Sequence, residues 1–346
     1  VAKRIGLTVF ALIVLLAATT YIAFQASPWP GALIVRTLFD AGSEQTSKGL
    51  AKYVPASVAS RPDLRYDPGD ADAYVDVYFP SSVQRTDRAL TTIVWIHGGG
   101  FVSGNRKQIA NYAKILAGHG FTVASVDYGI APSVTYPKPV RQIAAAIAYL
   151  ESNAQALHVD PERFVLAGDS AGALLAAQLA TVVTVPSYAK ALNVIAPVRA
   201  TQLAGMILYC GIYDAKPFFL ASSGGGPGGG LLRTILWSYS GTKAFSTDPL
   251  FASASVIDYV SDRFPPTFIS AGNGDPLEPQ SRAFAATLSK RHVSIDQLFF
   301  SKTHAPALPH EYQFDLGDTG GRVALERSVA FLSKLKPAER SSGGPR

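Results

Sequence analysis

The sequence predicts an α/β domain, with a mostly parallel central sheet, helices on both faces and a cap insertion. Three observations point there. Short apolar, β-branched runs alternate with helical patterns along most of the chain, the order that yields parallel strands joined by helices. Several runs are apolar without alternation, as in Thr91, Thr92, Ile93, Val94, Trp95 and Ile96, which suits strands buried on both faces. One stretch, residues 215–262, breaks the alternation and therefore stands beside the sheet. The scale fits: 346 residues, 48% of them hydrophobic, suffice for one large α/β domain, and 16% charged residues argue against a disordered chain.

The elements follow in chain order. Lys3 and Arg4 precede an uncharged apolar run over residues 5–24, close to the roughly 20 residues that span a bilayer. Phe24 occupies the position where a cut after Ala26 would need a small side chain, so residues 1–26 read as a retained membrane anchor rather than a cleaved signal segment. Basic residues before the span, with Arg36 only well after it, put the body outside the cytoplasm; a cleaved segment would leave it secreted. Residues 27–62 read as linker and cap helices. Gly42 and Gly49 break residues 33–53 into one or two helices there, and Pro55 and Pro62 interrupt the chain.

The main domain covers residues 63–337. Strands are expected at 73–79, 91–96, 121–126, 163–167, 203–209, 267–271 and 295–300, and helices at 110–118, 140–153, 171–182, 279–290 and 322–335. The insertion at 215–262 forms a lid or pocket wall. Its glycine run, 224–230, reads as a flexible loop, since it lacks the lysine and strand–helix setting of a phosphate loop. Residues 338–346 read as a disordered tail.

The formal net charge is +6, but the basic residues are scattered, which argues against a nucleic-acid partner. The one cysteine, Cys210, can make neither an intrachain disulfide nor a cysteine-rich zinc site.

The chemistry resides in two glycine motifs. Gly168-Asp169-Ser170-Ala171-Gly172 fits G-x-S-x-G between a strand and a helix, the setting that exposes a serine nucleophile on a tight turn. His97-Gly98-Gly99-Gly100-Phe101 follows the strand at 91–96. Its glycines let backbone amides approach a developing oxyanion, so Gly98, Gly99, Gly100 and Ala171 are the candidate donors, with His97 and Asp169 organising the loop. A base for Ser170 must lie beyond the carboxyl ends of the strands. His119, His158 and His292 precede strands and fall at the opposite edge. His97 opens the glycine loop. His304 and His310 both follow the last strand; His310 is preferred, because His304 leaves a long gap to the final helix. By the same rule Asp275, after the strand at 267–271, is the acid, in the order Ser170, Asp275, His310. Asp214 reads as a turn or cap residue, and Asp127 as a loop-organising carboxylate.

These segments resemble the hormone-sensitive-lipase-like branch of α/β-hydrolase-fold esterases. The resemblance runs over residues 73–335 and rests on His97-Gly98-Gly99-Gly100-Phe101, Asp127-Tyr128-Gly129-Ile130-Ala131-Pro132, Gly168-Asp169-Ser170-Ala171-Gly172, Asp275-Pro276-Leu277 and His310. It implies a Ser170–His310–Asp275 triad that cleaves carboxylic esters of short to medium acyl chains, without a cofactor or metal; the position beside a membrane segment adds lipid esters. An amide or peptide hydrolase on the same triad, or a catalytically silent receptor on this fold, are the alternatives. Two departures stand out. Gly129 replaces an arginine that helps organise the loop, and His310-Glu311-Tyr312 replaces the family's His-Gly-Phe.

Overall fold

The computed structural model describes residues 2–223 and 228–335. Two helices come first, α1 (Ala2–Ala26) and α2 (Trp29–Leu50). The strands are β1 (Val58–Arg65), β2 (Tyr74–Pro80), β3 (Leu90–Ile96), β4 (Thr122–Val126), β5 (Val159–Asp169), β6 (Leu203–Tyr209), β7 (Thr267–Ala271) and β8 (Ile295–Phe299). Between and after them run α3 (Arg106–Gly118), α4 (Lys138–Ser152), α5 (Ala171–Thr184), α6 (Pro186–Leu192), α7 (Lys216–Ser223), α8 (Gly229–Ser240), α9 (Pro249–Ala252), α10 (Glu278–Lys290) and α11 (Thr319–Lys334).

All eight strands join one sheet in the order β1-β2-β4-β3-β5-β6-β7-β8. β1 pairs with β2, and β2 with β4, antiparallel; every pairing from β4 onward is parallel. Successive side chains of β3 take opposite faces, as strand geometry requires. Val94 and Ile96 pack into the core under α4, α5 and α10, whereas Ile93 and Trp95 pack into the core under α3 and α11. Burial on both sides is why this strand is apolar without alternation. The register aligns the carboxyl ends: Ile96 lies opposite Val126 and Gly168, Asp169 opposite Tyr209, and Tyr209 opposite Ser270. Loops leaving these ends emerge side by side.

The structure departs from the sequence expectations in four places. β1 was not expected. It is a half-exposed edge strand with little apolar signal, and Pro62 and Asp63 fall at its register shift, where proline is tolerated. The sheet therefore starts at Val58, inside the stretch read as linker. α2 is a single helix and runs through Gly42 and Gly49; a helical glycine costs only about 1 kcal/mol, and α2 anchors itself through buried Ala32, Val35 and Leu50. α3 begins at Arg106 rather than residue 110, because the Asn105 side chain accepts from the amides of Lys107 and Gln108. In the insertion, Gly229 and Gly230 open α8 instead of continuing a loop. Residues 224–227 of that glycine run and the tail at 338–346 lie outside the described residues. One further helix, α6, follows α5 directly.

The segment Lys3–Ala26 is long and apolar enough to cross a membrane, with a mean hydropathy of 2.3 and none of its apolar window buried. Only Ser27 and Pro28 separate α1 from α2, which lies over the sheet's carboxyl end against α3 and α8.

Candidate active site

The chain turns sharply at Ser170, between β5 and α5, with φ 52° and ψ −119°, a conformation that side chains rarely adopt. The neighbours must be glycine. A Cβ on Gly172 would run into the backbone of Ile96 and His97, and one on Gly168 into the backbone of Gly172 and Ala173. The strain brings Ser170 Oγ to the first turn of α5, whose leading amides carry the positive end of the helix dipole.

Asp275 follows β7 and is buried, with Oδ1 accepting from the Leu277 amide at 2.8 Å. His310 follows β8. Its Nδ1 lies 3.0 Å from Asp275 Oδ2 and its Nε2 lies 3.0 Å from Ser170 Oγ. Residues 140 and 35 apart in sequence thus form one hydrogen-bonded line. His304, the other candidate, is absent from that line. Its carbonyl accepts from Asn273 and its ring packs on Phe300. Asp214 caps a turn through Lys216 N and Ser255 Oγ. Asp127 binds the backbone and guanidinium of Arg106.

Burial disfavours the charged form of His310, but Cys210, Asp275 and Glu311 around it outweigh that and hold its pKa well above the usual histidine range. Burial in turn pushes the Cys210 thiol up. Cys210 ends β6 behind the line; its sulfur and the ligand atoms of Asp275 and His310 all lie within 4.8 Å of one another.

The glycine loop lies opposite. Asp169 is buried and accepts from Trp95 Nε1 at 2.8 Å and from the Gly98 amide at 2.9 Å. This corrects one expectation, since the Gly98 amide is engaged by Asp169 and is not free for a substrate oxygen. Among the described residues, the amides of Gly99, Gly100 and Ala171 have no protein partner. Gly99 and Gly100 both have positive φ, 105° and 59°. His97 is buried, which lowers its pKa; its Nδ1–H donates to Gly98 O at 2.8 Å and its ring stacks on Tyr128 with centroids 4.3 Å apart.

Several contributors escaped the sequence reading. Arg36 of α2 donates to Val102 O at 2.7 Å and to Ala131 O at 2.9 Å, tying the glycine loop to the segment after Asp127. This is a task the missing arginine at position 129 could have served. A side chain there would meet Val134 and Asp72, so Gly129 leaves it no room. Asp40, also on α2, accepts from Ser103 Oγ at 2.7 Å and from Gly104 N at 3.2 Å. Phe39 and Ile235 of α8 rest on Gly100, 3.2 and 3.5 Å from the position its Cβ would take. Phe101 stacks on Tyr239 of α8 with centroids 3.9 Å apart. No motif marks these residues, because they come from separate helices whose meeting depends on the tertiary fold.

With this geometry in hand, the comparisons with known proteins can be placed. Residues 75–288, well over half the chain, match the BD-FAE family. Among solved structures, esterase B from Lactobacillus rhamnosis is 22% identical over 88% of this chain and 96% of its own, with a TM-score of 0.70. It is also known in a form inhibited by a tributyrin phosphonate. The esterase of Pyrobaculum calidifontis is 22% identical over 89% of this chain and 94% of its own, at a TM-score of 0.68. A bacterial heroin esterase is 25% identical over 89% and 98%, at a TM-score of 0.62. The chain belongs to the BD-FAE family, in the hormone-sensitive-lipase-like branch of α/β-hydrolase-fold esterases.

Proposed function

We propose that this chain is a carboxylic ester hydrolase that works through a covalent acyl-enzyme on Ser170. The observation that carries the proposal is the line Ser170 Oγ–His310 Nε2–Asp275 at 3.0 Å per link, with the Gly99, Gly100 and Ala171 amides left without a partner among the described residues.

In the proposed mechanism His310 Nε2 takes the Ser170 proton as Oγ attacks the ester carbonyl. The carbonyl oxygen becomes an oxyanion that accepts from Gly99, Gly100 and Ala171. Asp275 orients the ring and balances the imidazolium. When the carbon–oxygen bond to the alcohol breaks, His310 returns the proton to the leaving oxygen. A water then repeats the cycle, losing its proton to His310 and releasing the acid and free Ser170. His97 and Asp169 hold the loop that presents the amides.

An apolar roof of Phe39, Ile235, Phe101 and Tyr239 beside Gly100 supports an acyl chain of short to medium length. The phosphonate on esterase B makes a glycerol ester of butyrate a suitable first substrate. Lipid esters are also candidates. α1 supports membrane attachment with the domain outside the cytoplasm, and the exposed apolar residues Trp29, Leu33, Ile34 and Leu38 continue that surface onto α2. Release of the chain by alkaline carbonate would argue against a retained anchor.

The central test is Ser170→Ala, which is expected to lower turnover of nitrophenyl esters by about 10³-fold or more and to abolish labelling by a fluorophosphonate. Hydrolysis at the parental rate by this variant would refute the proposal. A nitrophenyl series of increasing acyl length then reads the pocket directly.

A further inference from the structure

Glu311 stands where the resembled family has glycine, immediately after the base, and its backbone keeps the glycine-like geometry, φ 60° and ψ 28°. A charged side chain held in that conformation beside the reacting atoms calls for a physical account. Its Oε1 lies 3.9 Å from His310 Nε2, the nitrogen that faces Ser170 Oγ. It also lies 3.1 Å from the position a Gly98 Cβ would take. Its carboxyl and that of Asp169 converge there, Asp169 Oδ2 lying closer still to the same position, and Asp169 already accepts from Trp95 and Gly98. Two carboxyl groups this close need a proton between them. The contact borders a crevice of about 30 Å³ under α2, room for a water or two, and about a third of the Glu311 side chain (31%) reaches solvent.

We propose that Glu311 is a positioning residue for the glycine loop. Protonated, it donates to Asp169 and completes the anchor that holds Gly98; deprotonated, it sets a second carboxylate beside His310 Nε2 and the oxyanion site. The inference rests on the Ser170 mechanism above. The titratable groups that face Glu311 are Asp169 at the end of β5, His310 and Asp275, and Cys210 at the end of β6. His97 after β3 and Tyr112 of α3 line the same crevice. Burial raises the pKa of both carboxyl groups; the Asp169 and Asp275 carboxylates push Glu311 up further, and His310 opposes them. The pair therefore titrates as a unit, keeping one proton at pH values where an ordinary carboxyl has lost it.

The sign follows. Activity needs His310 neutral and the pair singly protonated. Raising the pH past the loss of that last proton places two anions by the loop, which disfavours the oxyanion and raises the pKa of His310. Wild-type kcat/KM should thus have an alkaline limb set by the pair, on top of the acid limb set by His310.

The test is the pH profile of kcat/KM for a nitrophenyl ester, from about pH 5 to about pH 9, on the full-length chain in detergent. Glu311→Gln keeps a donor to Asp169 and cannot ionise. Glu311→Gly suits the backbone, and serves if the glutamine variant fails to fold. Both are expected to stay on their plateau at the pH where wild type has dropped roughly tenfold. A wild type with no alkaline limb, or variants that keep the wild-type limb and change only its height, would overturn the proposal. Failure of the underlying mechanism would look different: an active Ser170→Ala, or no fluorophosphonate labelling of any variant.

Discussion

The floor and the roof of this site are held by different means. The floor consists of loops leaving β3, β5 and β7, whose residues nearest the site are completely buried and laddered into one sheet, completed by His310 on the loop after the half-buried edge strand β8. The roof is α2, largely exposed, and α8, mostly half-buried or buried, joined to the floor by a few long polar ties, Arg36 and Asp40 among them, and by packing on Gly100 and Phe101. Groups that must hold their geometry against bond making sit on backbone that cannot shift without unravelling the core. Groups that meet the variable part of a substrate sit on elements that can be altered singly. Chemistry and selectivity should then respond separately to mutation.

The largest effect is expected on the floor. Asp275→Asn keeps the shape but supplies a donor where the ring needs an acceptor, so kcat should fall about 10⁴-fold. The residual activity carries a second signature. The Asp275 carboxylate stabilises the imidazolium, so its removal lowers the pKa of His310 and moves the acid limb of the pH profile to lower pH. Initial rates across pH check both, and an unmoved limb would mean that another group sets the charge on His310. In the roof, Arg36→Met removes two charge-assisted ties while leaving every reacting group in place. It should cost about 2 kcal/mol of stability and broaden the acyl-chain preference, with Ser170 still labelled by a fluorophosphonate. Denaturant titration and the ester series read these two outcomes; loss of labelling would mean that the roof also holds the chemistry. Smallest and opposite in sign is Gly42→Ala. Nothing lies within 4 Å of the added methyl on this exposed helical turn, so α2 should gain up to about 1 kcal/mol, visible as a higher melting temperature with unchanged ester preference.

The same division decides what could be read from the sequence. Ser170, Asp275 and the glycine loop follow apolar strands, and chain order after the serine then favours Asp275 over Asp127, while Asp214 shares its topology. The choice between His304 and His310 needed coordinates, since both follow β8 and only the path of the 301–309 segment brings one ring to Ser170. β1 was hidden because an edge strand has no continuous apolar run to betray it. Arg36, Asp40 and Phe39 were hidden because a helix that lies across another element carries no local motif for its contacts. Gly98 reads as an oxyanion donor until the Asp169 carboxylate is seen to hold its amide.

The shared register of the strand ends bears on how the chain can vary. Ile96, Gly168, Leu208 and Ile269 are knit into one level row, and each residue of a strand advances the chain by about 3.3 Å and reverses the side its side chain faces. Inserting or deleting a single codon within β3, β5 or β7 would carry a group of the proposed site out of reach and turn core residues outward together. The connections at the opposite end of the sheet feed no such row. Variation in chain length is therefore expected to accumulate there, while the strands vary only by substitution.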